Sequence, residues 1–333
     1  MMQEPATIPR RPVPQACRPN GLTLTIPGIV LAMACLVSLA AAAEEPVAPP
    51  SAELLRDASF RDGFVLLRPQ PGREVVCGTV RRPDHGAPVW QLAQWSSRFA
   101  FDATTVATPC AGGNLRISTP ARSVTFGDGG ILTLAMNAGI EYGGHPRAAA
   151  DPWVHLLVQQ PVATLPRLGD LSALRLHVEA RRVRARLVLG DGYDPQIHAA
   201  QFLIYITVQN LEKDSPGYGS FLWFGVPVFD NRNRKSETYA APDFGGTGKF
   251  IYTPGSTNFT SGSTHDDGWV RFDADLLPLM REGLAAARAR GFLKGLEGDA
   301  QFRVAALNMG WEVPGSFDVE MHVRGLSLTA ASR

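Results

Sequence analysis

Gln201-Phe202-Leu203-Ile204-Tyr205-Ile206-Thr207-Val208-Gln209 and Ser220-Phe221-Leu222-Trp223-Phe224-Gly225-Val226-Pro227-Val228-Phe229-Asp230 decide the fold class of this chain. Both runs have strand length and are rich in β-branched and aromatic residues, and Asn210–Gly219 between them carries Asp, Ser, Pro and two Gly. The first run is apolar on both alternating faces, as expected for a strand at the centre of a sheet with material packed on each side. The second ends in Asp230-Asn231-Arg232-Asn233-Arg234, so aromatic bulk gives way to charges and amides within one residue. A rim of Trp223, Tyr218, Asp230 and Arg232 suits a polyhydroxylated ligand. Sugar rings present C–H faces to stack on aromatics, and their hydroxyls exchange hydrogen bonds with polar side chains. A buried Trp in an ordinary sandwich beside a solvated turn is the plainer reading of the same residues.

Working outward, short apolar runs at Phe60–Leu67, Leu115–Ser118, Ser123–Phe126, Ile131–Asn137, Trp153–Val158, Leu174–Val178 and Val183–Leu189 are separated by Gly and Pro. Such spacing predicts an all-β chain, an antiparallel β-sandwich of the jelly-roll kind, rather than βαβ units. One helix is predicted at residues 274–290: Asp273 or Asp275 can cap it, Pro278 sits in its first turn, and Leu276, Leu277, Met280, Leu284 and Ala287 fall at helical spacing. Gly291 ends it. Glu237–Ser263, rich in Gly, Ser, Thr and Asn, reads as a long polar loop over a site or tucked down by its own aromatics. Two last strands, Phe302–Leu307 and Phe317–Leu328, flank a turn at Asn308–Gly315.

The amino terminus reads differently. Arg10, Arg11 and Arg18 precede an apolar run, Ile29–Leu39, and then Ala40-Ala41-Ala42-Ala43 and Glu44-Glu45-Pro46. That is the pattern of a secretory signal peptide over residues 1–43, cleaved after Ala43. Residues 44–58 follow as a tether and 59–333 as a single sandwich domain. A periplasmic or extracellular location is expected, without membrane insertion once the signal is removed, because no later stretch has ~20 consecutive apolar residues. Cleavage would take the formal net charge from +1 to −1. No basic stripe remains for nucleic acid. In an oxidising compartment the two remaining cysteines, Cys77 and Cys110, are expected to form one disulfide, worth about 3–4 kcal/mol if unstrained.

Phosphate-loop and nucleophile-elbow motifs are not met: Gly245-Gly246-Thr247-Gly248-Lys249 lacks the leading Gly, and Gly217-Tyr218-Gly219-Ser220 has the wrong spacing. No cofactor is expected. Asp128, Asp191, Asp194 and His265-Asp266-Asp267 lie in turns where a structural Ca²⁺ binds in some sandwiches, although such residues more often bond their own turns. Carboxylates are the stronger candidates, because glycoside hydrolysis needs two, one protonated and one ionised. Glu312, next to Trp311, is expected to have its acidity weakened by desolvation. Asp230, Glu237, Asp243, Asp266 and Asp267 are the candidates for the second.

Gly310-Trp311-Glu312-Val313-Pro314-Gly315, following a helix-like segment and leading into an alternating strand, resembles the end of concanavalin A-like glucanases, in particular family 12 glycoside hydrolases. The resemblance covers about 60 residues and implies a concanavalin A-like fold, with Glu312 in the acid/base role. The strand bearing that family's nucleophile Glu has no counterpart in Phe202–Val208 or Phe221–Phe229. Gln196-Ile197-His198 is similar to a short string of jelly-roll alginate lyases, which implies β-elimination with His198 and Gln196 in the site. The functional expectation is a glycan-binding groove with Glu312 and Asp230 as catalytic residues and Trp223, Tyr218, Arg232, Trp311, His198 and Gln196 as ligand contacts. A polysaccharide lyase, a non-catalytic carbohydrate-binding module and an envelope structural protein are the alternatives.

Overall fold

The computed structural model describes residues 51–243 and 246–333, so the signal-peptide reading of residues 1–43 lies outside the described residues. In chain order the elements begin with strands β1 (Ser51–Glu53), β2 (Gly63–Leu67), β3 (Val76–Arg81), β4 (Trp90–Ala93), β5 (Thr108–Cys110), β6 (Asn114–Ser118), β7 (Arg122–Gly127) and β8 (Ile131–Asn137). A one-turn helix α1 (Ala138–Glu141) precedes β9 (Val154–Pro161), β10 (Leu171–Leu187), β11 (Gln201–Asn210), β12 (Phe221–Asp230), β13 (Tyr239–Pro242), β14 (Phe250–Thr253) and β15 (Val270–Asp275). Helix α2 (Leu276–Ala289), β16 (Phe302–Val313) and β17 (Phe317–Ser332) complete the chain.

Among the described residues these strands form two sheets. One has eight strands, in the order β15-β10-β17-β8-β7-β6-β5 with β1 against β17; the other has nine, β13-β14-β12-β11-β16-β9-β4-β2-β3. Pairing is antiparallel throughout except at β2/β4 and β12/β14, which run parallel. The sheets share one apolar core: Phe202, Ile204, Ile206 and Val208 of β11, Leu307, Met309, Trp311 and Val313 of β16, and Val319, Met321 and Val323 of β17 are all buried in it. The expected β-sandwich with one main helix is therefore what the chain forms. Asp275 caps α2 by accepting from the Leu277 amide at 3.1 Å, and Leu276, Leu277, Met280, Leu284 and Ala287 form its buried stripe. No helix among the described residues is long and apolar enough to cross a membrane.

Four expectations need correction. Residues 51–58 are not a tether: β1 pairs with β17, and Leu54 and Leu55 are buried in the core. Glu237–Ser263 is not one long loop, because β13 and β14 extend the larger sheet within it. The turn expected at Asn308–Gly315 begins only after Val313, since β16 continues with Leu307, Met309, Trp311 and Val313 all facing the core. Finally, Cys77 and Cys110 are free thiols. Cys77 lies in β3 at the edge of one sheet, its Sγ 3.4 Å from the Leu66 carbonyl oxygen, and Cys110 lies in β5 at the edge of the other. Burial pushes the Cys77 thiol pKa up, which slows its reaction with electrophiles. Alkylating the unreduced protein is expected to label Cys110 quickly and Cys77 slowly; protection of both until a reductant is added would require a bridge that this structure lacks.

Candidate functional site on the outer face of the larger sheet

The strand registers place three rows of side chains across the outer face of the nine-stranded sheet. In the first, Asp230 on β12 is opposite Gln201 on β11, Gln201 is opposite Glu312 on β16, and Glu312 is opposite His155 on β9. Two residues along, the second row is apolar and recessed: Pro227, Leu203, Gly310, Leu157 and Ala93. Gly310 has φ +154°, and a Cβ there would lie 2.2 Å from the Leu156 carbonyl oxygen, so this floor position accepts only glycine. The third row is Gly225, Tyr205, Asn308, Gln159 and Gln91. Beyond it, Trp223 packs edge-on against Tyr205 and Phe221, with ring centroids 5.8 and 5.1 Å apart.

Glu312 is the electrostatic centre of this face. Its side chain is 18% exposed, and burial pushes its pKa from an ordinary 4.5 to about 7, with the charge of Asp243 adding to the shift. Asp243 follows β13 and is held as a turn: its Oδ2 accepts from the Thr247 amide at 2.7 Å and the Thr247 hydroxyl at 2.8 Å. That hydroxyl accepts in turn from the Trp223 indole at 3.1 Å, so one chain of bonds joins the aromatic to the carboxylate. Burial also raises the Tyr205 hydroxyl well above its ordinary value, and Glu312 adds to this. His155 Nε2 is 3.9 Å from Glu312, but burial pushes the imidazole down to about 4, so near neutrality the two are not an ion pair. A protonated carboxyl beside a neutral imidazole can give a proton to a substrate oxygen at neutral pH.

Beneath His155 lies a buried ion pair. Arg122 on β7 donates through Nε to Glu141 on α1 at 3.0 Å and through Nη1 to the His155 carbonyl oxygen at 3.1 Å. Glu141 also accepts from the Ser97 hydroxyl at 2.9 Å and the Arg98 amide at 2.8 Å. The pair thus ties the start of β9 to the loop after β4, and both side chains are 0% exposed.

The residues singled out in the sequence fare unequally. Glu312, Asp230 and Trp223 all reach the outer face. Asp230 and Glu312 stand two strands apart in one row, or roughly 10 Å between backbones. Burial opposes ionisation of Asp230, yet bonds from Arg232 and Gln201 outweigh it and hold its pKa below the usual carboxylate range. Both Asp230 oxygens are already engaged: Arg232 donates from its amide, Nε and Nη2, and Gln201 from Nε2. Arg232 is therefore committed to Asp230 rather than free for a ligand.

Trp311 is not a contact residue. Alternation along β16 turns it inward, 0% exposed, with its indole donating to the Leu134 carbonyl oxygen of the opposite sheet at 3.0 Å. His198 is buried as well: its Nδ1 accepts from the Asp194 amide at 2.9 Å, and its Nε2 is 2.7 Å from the Arg147 carbonyl oxygen. Gln196 lies in the same turn, its amide donating to Asp194 Oδ1 at 2.8 Å. Tyr218 is exposed, but it sits in the β11–β12 turn, roughly 30 Å along the hairpin from Gln201. The lyase reading thereby loses its base. His155, Tyr205, Gln201, Asn308 and Gln159 were missed. Each is a polar residue in an otherwise apolar strand, a signal present in the sequence but silent without the register.

Three of the calcium candidates are engaged by other partners. Asp128 pairs with Arg82 at 2.6 Å, Asp266 with Arg234, and Asp194 caps its own turn. Among the described residues no three His, Cys, Asp or Glu converge to hold a metal.

No protein-family model matches the sequence, and no curated protein matches it. Solved structures do. The endoglucanase cel12A from Rhodothermus marinus is 12% identical, with 73% of this chain and 99% of that one covered, at a TM-score of 0.39. The family 11 xylanase from Neocallimastix patriciarum is 10% identical over 68% and 95%, at 0.35. The xyloglucanase domain of NopAA, a type three effector from Sinorhizobium fredii solved with cellobiose, is 10% identical over 70% and 98%, at 0.36. A metagenome-derived glycoside hydrolase family 12 endoglucanase is also among the structures that this chain is similar to, at 13% identity and a TM-score of 0.39. Likeness at this level carries neither a substrate nor a catalytic residue across to this chain.

Proposed function

We propose that this protein binds a glycan on the outer face of its nine-stranded sheet and hydrolyses it, with Glu312 as the general acid. One observation carries the reading: a carboxyl with a pKa of about 7 stands beside a recessed apolar row where solvent still reaches it, with aromatic rings on the same face. Glu312 would protonate the departing glycosidic oxygen. Asp243, whose Oδ2 is bonded to Thr247 while Oδ1 has no bonding partner among the described residues, would act opposite it as nucleophile or as base toward water. Trp223 and Tyr205 would stack against sugar rings. An exported protein acting on extracellular or periplasmic polysaccharide fits the amino-terminal sequence.

A second reading is a glycan receptor without turnover. It is favoured by the saturation of Asp230, which leaves the carboxylate in Glu312's own row unavailable for attack. Reducing-end release from neutral polysaccharides separates the two. The wild type is expected to release product, Glu312→Gln to lower kcat by about 10²–10⁴-fold with binding kept, and Asp243→Asn to lower it similarly. Binding without release by the wild type would overturn hydrolysis and leave the receptor.

A further inference from the structure

The third row has polar capacity that the protein itself does not use. Gln159 on β9 donates both Nε2 hydrogens, to Glu74 at 2.8 Å and to Gln91 at 2.9 Å, which fixes it flat between its neighbours. Its carbonyl oxygen is left without a donor among the described residues, and the Gln91 amide nitrogen without an acceptor. Asn308, next across on β16, has no side-chain hydrogen bond among the described residues, though it lies in the middle of a sheet with a tyrosine on one side and a glutamine on the other. Amides left open on the half-exposed face of a rigid sheet are completed by water or by a ligand. All three are half-buried, so their open groups remain within reach of a ligand.

We propose that Gln91, Gln159 and Asn308 form a ladder of amides that binds the hydroxyls of an uncharged oligosaccharide, as a subsite distinct from the Glu312 row. The inference rests on the glycan reading above and adds to it the substrate class and a length requirement. From Asn308 to Glu312 is four residues of one strand, roughly 13 Å, a span of a few linked sugars rather than one. The apolar row of Leu203, Gly310 and Leu157 lies between the two polar rows, so a sugar seated there has hydroxyl partners on either side and a C–H face toward the floor. Arg232, beside the first row, is held by Asp230, and the carboxylate of Glu74 lies beside the third row, bonded to Gln159. Amides donate and accept with uncharged hydroxyls, and a uronate seated on the third row would meet the Glu74 carboxylate with no cation in the row itself.

Calorimetric titration of the purified protein with cellohexaose, xylohexaose and mannohexaose, their disaccharides and a hexagalacturonate tests this. At least one neutral hexasaccharide is expected to bind, and the hexagalacturonate to bind more weakly. Asn308→Ala and Gln159→Ala are expected to weaken hexasaccharide binding about tenfold each, with the disaccharide little changed. Asn308→Asp, which keeps the shape and adds charge, should weaken it as well. Unchanged thermal melting confirms that each variant is folded; a variant that is not gives way to Gln91→Ala, which truncates the third member of the row. Wild-type binding that none of these changes alters overturns the ladder while leaving the glycan reading intact. Tighter binding of the uronate overturns the substrate class. No binding of any sugar overturns both.

Discussion

Glu141→Ala is expected to destabilise the protein by about 3–5 kcal/mol, the usual cost of leaving one partner of a fully buried ion pair without the other. Burial already depresses the basicity of Arg122, and Glu141 is what offsets this. Without the carboxylate, the guanidinium keeps the His155 carbonyl but loses its counter-charge, and the Ser97 hydroxyl and Arg98 amide lose their acceptor. The loss corresponds to a fall in Tm of roughly 10 °C for a chain of this size. Denaturant midpoints at unchanged m-value are the measurement. Replacing both residues by apolar ones, Arg122→Met with Glu141→Leu, should recover most of the loss, because desolvation then has no charge to act on. A Glu141→Ala cost below about 1 kcal/mol would mean that the guanidinium finds water, contrary to its zero exposure.

The second large effect depends on pH. Glu312→Gln is expected to be more stable than the wild type by up to about 3 kcal/mol at pH 8–9, and equal to it below about pH 4.5. The sign follows from the direction of the shift. The folded carboxyl holds its proton up to about 7 while the unfolded one releases it near 4.5, so the folded state binds more protons between those values. Stability therefore falls as pH rises through that window, and the amide variant lacks the fall. His155 acts in the opposite sense. Its pKa is pushed down from 6.5 to about 4, so its contribution is present above 6.5 and lost as pH falls toward 4. Between 4.5 and 6.5 the two oppose one another, and above 6.5 Glu312 acts alone. Urea midpoints of both proteins from pH 4.5 to 9 measure the effect, because His155 is common to both and cancels in the difference; a difference that does not grow with pH would show that Glu312 ionises freely in the folded state.

The same group links stability to chemistry. The burial that makes Glu312 an acid at neutral pH costs folding energy at the pH where it would work, a familiar compromise at sites that must hold a perturbed carboxyl. Arg122 and Glu141 take part from below, since they anchor the backbone of His155, whose imidazole borders Glu312. Variants of that pair should therefore be tested for any change in the Glu312 titration as well as for stability.

Among the described residues, the linear chain determined the layered β architecture and the one long helix with its Asp275 cap, and it singled out Glu312 as a candidate carboxyl. Each rests on local pattern: alternation, helical spacing with punctuation, and an acid flanked by apolar bulk. It could not determine which way each strand faced. A turn read at Asn308–Gly315 and a strand continued to Val313 use the same residues, yet only the strand turns Trp311 into the core and Glu312 out. His198 looked like a ligand residue because Gln196-Ile197-His198 resembles a string of alginate lyases, whereas the folded turn closes on it from the Asp194 amide and the Arg147 carbonyl. Conversely His155, Tyr205 and Asn308 became neighbours of the site only through cross-strand registers linking segments far apart in the chain. Side-chain direction has a period of two along a strand, so one residue of register exchanges the core face for the outer face, and long-range pairing alone sets that register.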